Sequence, residues 1–342
     1  MSIFSISNLV TVCLALCLLI PEAAAKNYKI ATISPDGLSW MKKLRSGVKE
    51  IETRTEGRVK FKIYPGGVQG NDFTVLRKVR IGQLHGGAVA AGSLTRFYPD
   101  LQVYNLPLQF KSFDEVDYVR QRMDQTIVDG LEEGGMVVFK LTETGFAYLL
   151  SKTPVRGVED LKSLKAWVPE GDPISAELIK SFDISPIPLN ITDVLAALQT
   201  GLINAVAVPP IVALALQWHN HVEYMMDLPL VYIYSMLAID RKVFDKMSKD
   251  DQVIVQEVMA RLFTEIDRDN RVDNLKAYDA LIQQGIKVVS PGEEHRPEWE
   301  AVASKSISGL LESGEISQEI WNSYSEVLSG YREQLETSEI GD

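Results

Sequence analysis

The stretch that decides the fold opens Lys165-Ala166-Trp167-Val168-Pro169-Glu170-Gly171-Asp172-Pro173 and runs on to Pro210. Lys165 to Val168 is a short apolar run halted by Pro169-Glu170-Gly171. Asp172 then supplies an N-cap ahead of a proline at the first helical position. Ile174, Leu178, Ile179 and Phe182 share one helical face, and Ile184 to Leu189 turns extended around two prolines. Thr192-Asp193 caps a second helix whose apolar face is Val194, Leu195, Leu198 and Leu202, with Gly201 near its end. Ile203 to Val208 reads as a buried strand stopped by Pro209-Pro210. The unit is therefore β-α-β-α-β with parallel pairing. Ligands bind such sheets outside the carboxyl ends of the strands, here near Trp167 to Asp172 and Val208 to Pro210.

At the start of the chain, the apolar run Leu9 to Ile20 followed by Ala23-Ala24-Ala25 reads as a secretory signal peptide over residues 1–25. It is too short for a comfortable membrane span. Both cysteines, Cys13 and Cys17, fall inside it, so the secreted part lacks a disulfide, a catalytic thiol and a thiolate metal site. Leu16 before Cys17 is a poor context for lipid attachment. The chain of 342 residues carries a net charge of −11, with no basic cluster, which excludes a nucleic-acid partner. The protein reads as acidic and located outside the cytoplasm.

Tyr28 to Ala91 holds another β-α-β-α-β pattern. Its glycine-rich loop Pro65 to Gly70 has neither dinucleotide nor P-loop spacing, and reads as a turn with Asp72 as N-cap. Ser112 caps a helix to about Glu133, and Met136 to Leu141 is a strand. Thr142 to Gly145 marks a first crossing between domains, and the strand Leu230 to Ile239 marks the return. Ser248 caps a long helix to about Gln284, with Val253, Val255, Val258, Leu262 and Ile266 at helical spacing. Two amphipathic helices end the chain.

In this order, Gly57-Arg58 through Gly70, Asn105-Leu106-Pro107-Leu108, Val158 to Lys165, Ser185-Pro186-Ile187-Pro188 and Leu195-Ala196-Ala197-Leu198-Gln199-Thr200-Gly201 resemble the DctP-type substrate-binding proteins of TRAP transporters. The resemblance implies an α/β, two-lobed periplasmic-binding-protein fold with a mixed sheet in each lobe and a long helix spanning both. Lobe I takes 26–145 plus about 236–273, and lobe II takes 146–235 plus about 274–335. It also implies closure around one small organic ligand, which passes to a small and a large membrane permease subunit. A same-fold receptor for signalling, or for carrying a hydrophobic molecule to an envelope partner, is the alternative.

The arginines that pair with a substrate carboxylate in the family match Trp167 and Ala147 here. The asparagine, glutamate and aspartate of its D-G-Q-E-N-P motif match Val208, Ala207 and Asn204. An arginine fork contributes bidentate, charge-assisted hydrogen bonds that neither an indole nor an alkyl group replaces. The expected ligand is therefore apolar, or a monocarboxylate if Lys152 or Arg96 serves as a relocated cation, rather than a dicarboxylate. Trp167, Ala147, Val208, Ala207, Glu170, Ile191, Trp218, Tyr232 and Tyr234 are the expected ligand-binding residues. Trp218-His219-Asn220-His221 would splay its histidines on a helix, so no metal site is expected. No catalytic constellation or cofactor motif is present, and the chain reads as a receptor rather than an enzyme. Intact mass of the secreted protein checks its processing: it begins at Lys26, and a diacylated N-terminal cysteine would contradict this.

Overall fold

A computed structural model describes residues 26–340; residues 1–25, read above as a signal peptide and holding Cys13 and Cys17, lie outside the described residues. The first lobe is built from β1 (Lys26–Ala31), β2 (Val59–Tyr64) and β3 (Gly86–Ala90), joined by the helices Ser39–Arg54 and Asp72–Arg80. β1 lies between β2 and β3, parallel to both. The chain then forms β4 (Met136–Ser151), a single 16-residue strand where a short strand and a crossing segment were expected. It returns as β9 (Val231–Asp240), which runs antiparallel to both β3 and β4.

β4 is long because both of its ends are paired. Its first part lies along β9, and its last residues pair with β7 (Ala205–Val208) and β8 (Tyr224–Met226), with β10 (Lys287–Val289) beside β8. One sheet path thus runs through both lobes. Its β4–β9 ladder is irregular at two places, between Val138 and Leu141 and between Glu143 and Gly145. Gly145 has φ +115° and sits against the Asn274 side chain, leaving no room for a Cβ.

The stretch that opens the sequence keeps the expected order of strands and helices, but not one parallel sheet. β5 (Trp167–Pro169) pairs in parallel with β6 (Ile187–Leu189), whereas β7 pairs antiparallel with β4 and meets β5 only through a single parallel bridge, Ala166 to Ala205. Pro188 is accommodated because β6 is an edge. Asp172 caps the helix Pro173–Ser181, accepting from the backbone N–H of Ile174 and Ser175. Asp193 does not cap its helix: Ile191–Asp193 is a 3-10 turn that runs straight into Val194–Thr200, leaving Asp193 already helical. Leu202 and Val253, assigned to apolar helical faces, are exposed at 51% and 61%: the helix ends at Thr200 with Gly201 left-handed, which puts Leu202 outside it, and Val253 falls just off the packed stripe of its helix.

Helices cover both faces of the first-lobe sheet. Val116, Val119, Ile127 and Leu101 pack on one face, and Met41, Leu44, Ile51 and Val255 on the other. The second lobe closes over Leu198, Ile203, Trp218 and Leu281, and over Leu161, Phe182 and Trp299. The terminal helix Gln318–Ile340, expected with the second lobe, joins the first. Tyr324 is fully buried against Phe110, ring centres 5.5 Å apart, and Arg332 pairs with Glu115 at 2.7 Å. Its apolar stripe finds the uncovered side of the helix Phe113–Glu133.

The long helix Lys249–Gln283 is capped by Ser248 and holds the crossing. Arg120, 7% exposed, donates to Asp267 at 3.0 Å, to Asp124 at 3.1 Å and to Tyr232 Oη at 3.2 Å. Glu143, 1% exposed, accepts from Arg271 at 2.7 Å, and Arg271 forks onto Asp117 through two 2.7 Å bonds. Burial pushes the Glu143 carboxyl up, while Arg271 pulls the other way. Removing one partner from such a buried network leaves uncompensated charge, at a cost of about 3–5 kcal/mol. Arg120→Met is therefore expected to lower the unfolding free energy by about that amount, measured by denaturant titration. Arg296→Met, in the exposed Arg296–Glu293 pair, leaves the midpoint unmoved.

Candidate functional site

The carboxyl ends of β5 and β7, the bulged part of β4 and the start of the helix Asp72–Arg80 converge on a cavity of about 450 Å³. The first lobe contributes Asn71 to Phe73, Ala90 to Ser93 and Gln102. The crossing strands contribute Thr142, Thr144 and Ser235, and the long helix contributes Phe263, Ile266, Asn270 and Asp273. The second lobe supplies Trp167 to Glu170, Ile191 and Ala207 to Pro209.

Trp167 is 7% exposed, and its indole N–H donates to Leu189 O at 3.0 Å. It therefore offers the cavity ring surface without a hydrogen bond. Val208, Ala207, Ile191 and Tyr234 also line the wall, with the Tyr234 hydroxyl bonded back to Leu101 O. Glu170 stands exposed at the edge. Three expected residues are elsewhere. Ala147 has no exposed surface, because β9 covers it through the Ala147–Val231 pair. Trp218 is 1% exposed behind Trp167, packed edge to face with ring centres 5.2 Å apart. Tyr232 is drawn into the core, where its hydroxyl meets Arg120 and Glu143.

Neither cation considered as a replacement reaches the cavity. Lys152 Nζ donates to Leu198 O at 3.2 Å, and Arg96 lines an adjoining open groove that shares Phe73, Val168, Pro169 and Asp172 with the cavity without itself lining the cavity. Among the described residues that line the cavity there is no Lys, Arg or His, whereas Asp72, Glu170, Asp172 and Asp273 all do. Three helix starts face the cavity, and each is already supplied with an acceptor from this chain. Asn71 Oδ1 accepts from Thr74 N at 2.9 Å, Asp172 Oδ1 from Ile174 N at 3.1 Å, and Asn274 Oδ1 from Ile211 N at 3.1 Å. The positive helix ends that would attract an anion are thereby occupied.

Asn71, not Asp72, is the cap of the helix after the glycine-rich loop. The extra residue carries Asp72 into the first turn, 9% exposed, where Oδ2 accepts from Ala90 N at 2.9 Å and Oδ1 has no partner. Burial pushes its carboxyl up to about 6, against the pull of the Ala90 hydrogen bond. Sequence reasoning missed Asp72, Gln102 and Asp273 as wall residues. Asn71-Asp72 after Gly70 offered a signal; Gln102 and Asp273 offered none, since each is an ordinary polar residue until the fold brings it inward. His219 Nδ1 lies 3.1 Å from Ala213 O, and among the described residues no group of His, Cys, Asp and Glu has the arrangement to hold a metal ion.

The profile of bacterial extracellular solute-binding protein family 7, the DctP family, matches residues 30–312. The sialic acid-binding periplasmic protein SiaP of Vibrio cholerae is 21% identical over 246 residues, covering 70% of this chain and 75% of its own length. The TRAP periplasmic solute-binding protein of Haemophilus influenzae with bound L-gulonate superposes with a TM-score of 0.80 at 19% identity, over 88% of this chain and 99% of that one. The sugar-acid-binding DctPAm of Advenella mimigardefordensis, in complex with galactonate, gives 0.81 at 18% identity, over 89% and 98%. At those identities the superpositions speak for the two-lobed fold, whereas the family rests on the profile match across most of the chain. This chain belongs to the bacterial extracellular solute-binding protein family 7.

Proposed function

We propose that this protein is the extracytoplasmic solute receptor of a TRAP-type secondary transporter. One small organic ligand enters the cavity between the lobes and is handed to a small and a large membrane subunit. The ligand has an apolar body and is not a dicarboxylate. Trp167, Ile191, Ala207, Val208 and Tyr234 form the wall it packs against, and Glu170 stands at the edge. The observation that carries this reading is the absence of Lys, Arg and His from the described cavity wall.

The similar proteins named above bind L-gulonate and galactonate, both acids. A carboxylate entering this cavity would leave water without a cationic partner, at a cost on the order of several kcal/mol per charge. The monocarboxylate expectation needed Lys152 or Arg96 and loses its support with their positions. Apolar burial at about 25 cal/mol per Å² supplies the affinity instead, with the few polar wall groups fixing orientation. Closure follows where the closed form makes the better contacts, since a ligand shifts that equilibrium only by its differential affinity. Among the described residues no helix is long and apolar enough to cross a membrane. The apolar wall also suits carriage of a hydrophobic molecule to an envelope partner. Adjacent genes for two permease subunits decide for transport.

Protein purified without refolding and then denatured is expected to release an apolar-bodied small molecule, identified by mass spectrometry. Calorimetry against succinate, malate and sialic acid should show no heat, and micromolar binding of any of them would overturn the reading. A second test addresses Asp72. The folded protein holds the Asp72 proton up to about pH 6, whereas an unperturbed aspartate releases it near 3.8. Below both values the carboxyl is neutral in both states and costs nothing. Stability is lost as pH rises between them, and above pH 6 the full penalty of about 3 kcal/mol applies. Asp72→Asn, keeping an acceptor for Ala90 N, should raise the unfolding free energy at pH 7.5 by up to about 3 kcal/mol and at pH 4 by only about 0.5 kcal/mol. Equal gains at both pH values would show that the charge is not what destabilises.

A further inference from the structure

We propose that the solute is an organic cation: a protonated amine or other ammonium group on an apolar or aromatic body. This rests on the reading above, that the interlobe cavity takes an apolar-bodied solute, and adds the sign of its charge. Four carboxylates line the cavity and no cationic side chain does so among the described residues. Asp172 is committed, with Oδ1 capping its helix and Oδ2 accepting from Ser175 Oγ at 2.7 Å. Glu170 and Asp273 have no side-chain hydrogen bond or ion pair among the described residues. Asp72 is 9% exposed, with one oxygen free of any partner.

A neutral solute leaves these acceptors unpaired, and an anion adds repulsion to its own desolvation. A cation turns the same carboxylates into partners, and a cavity with low-dielectric walls focuses their field. Asp72 comes from the first lobe, Glu170 from the second and Asp273 from the long helix, so an ammonium meets negative charge from every part of the structure that encloses it. The rest of the wall agrees. Trp40, Phe73 and Trp167 line the cavity, and the Trp167 N–H is already bonded to Leu189 O. They are left with ring faces and edges, and a cation over a ring face is attracted by the ring quadrupole.

The test is calorimetry on the full secreted chain at pH 7.5 with three molecules of matched shape: phenethylammonium, phenethyl alcohol and phenylacetate. Phenethylammonium is expected to bind at least about tenfold tighter than the alcohol, with phenylacetate giving no heat. Asp273→Asn and Glu170→Gln should each narrow the gap between ammonium and alcohol, and added salt should narrow it further. Alcohol binding as tightly as ammonium overturns the charge assignment and leaves the apolar-solute reading in place. Phenylacetate binding tightest, or no binding by any of the three at millimolar concentration, overturns both.

Discussion

Glu143 carries its carboxylate inside the molecule at the point where the chain passes between lobes, and the surrounding ion network makes that placement tolerable. Arg271 binds Glu143 and Asp117, while Arg120 binds Asp124 and Asp267. Three elements are tied by these contacts: the helix Phe113–Glu133, the crossing strand β4 and the long helix Lys249–Gln283. Asp267 also accepts from the backbone N–H of Glu143 at 2.6 Å, where the ladder to β9 is interrupted. A bulge leaves backbone groups without strand partners, and buried groups of that kind need others. The long helix supplies them through Asp267 and Asn270, the latter donating to Glu143 O at 2.8 Å.

The cavity follows from the same crossing. Thr142, Thr144 and Ser235 in its floor belong to the interrupted part of the β4–β9 ladder, and Asn270 and Asp273 come from the helix that braces it. The hinge network consumes its arginines on Glu143, Asp117, Asp124 and Asp267, so none of that positive charge faces the cavity. The walls keep apolar surface and carboxylates. That division, cations in the crossing network and anions in the cavity, is the electrostatic observation behind the proposed solute.

Much of this was legible in the residues because it is local. Asp172-Pro173, Ser112 and Ser248 mark helix starts through capping geometry that needs only the next few residues. The position of the cavity at the ends of β5 and β7 followed from parallel topology, and the loss of the arginine clamp from Trp167 and Val208 standing where a clamp would be. Asn71 displacing Asp72 as cap shows the limit of such signals. Two capping residues sit side by side, and the buried hydrogen bond from Ala90 decides between them.

The sequence by itself determined the fold class, the alternation of strands and helices, and the family, since hydrophobic period, caps and motif order are properties of neighbouring residues. Only the tertiary structure decided which side chains face the solute. Ala147, Trp218 and Tyr232 are turned away by pairing with β9, by packing behind Trp167 and by the pull of Arg120. Asp72, Gln102 and Asp273 are brought in from segments as much as 201 residues apart. Burial and partner choice between distant segments depend on how the lobes pack, and no local pattern carries that information.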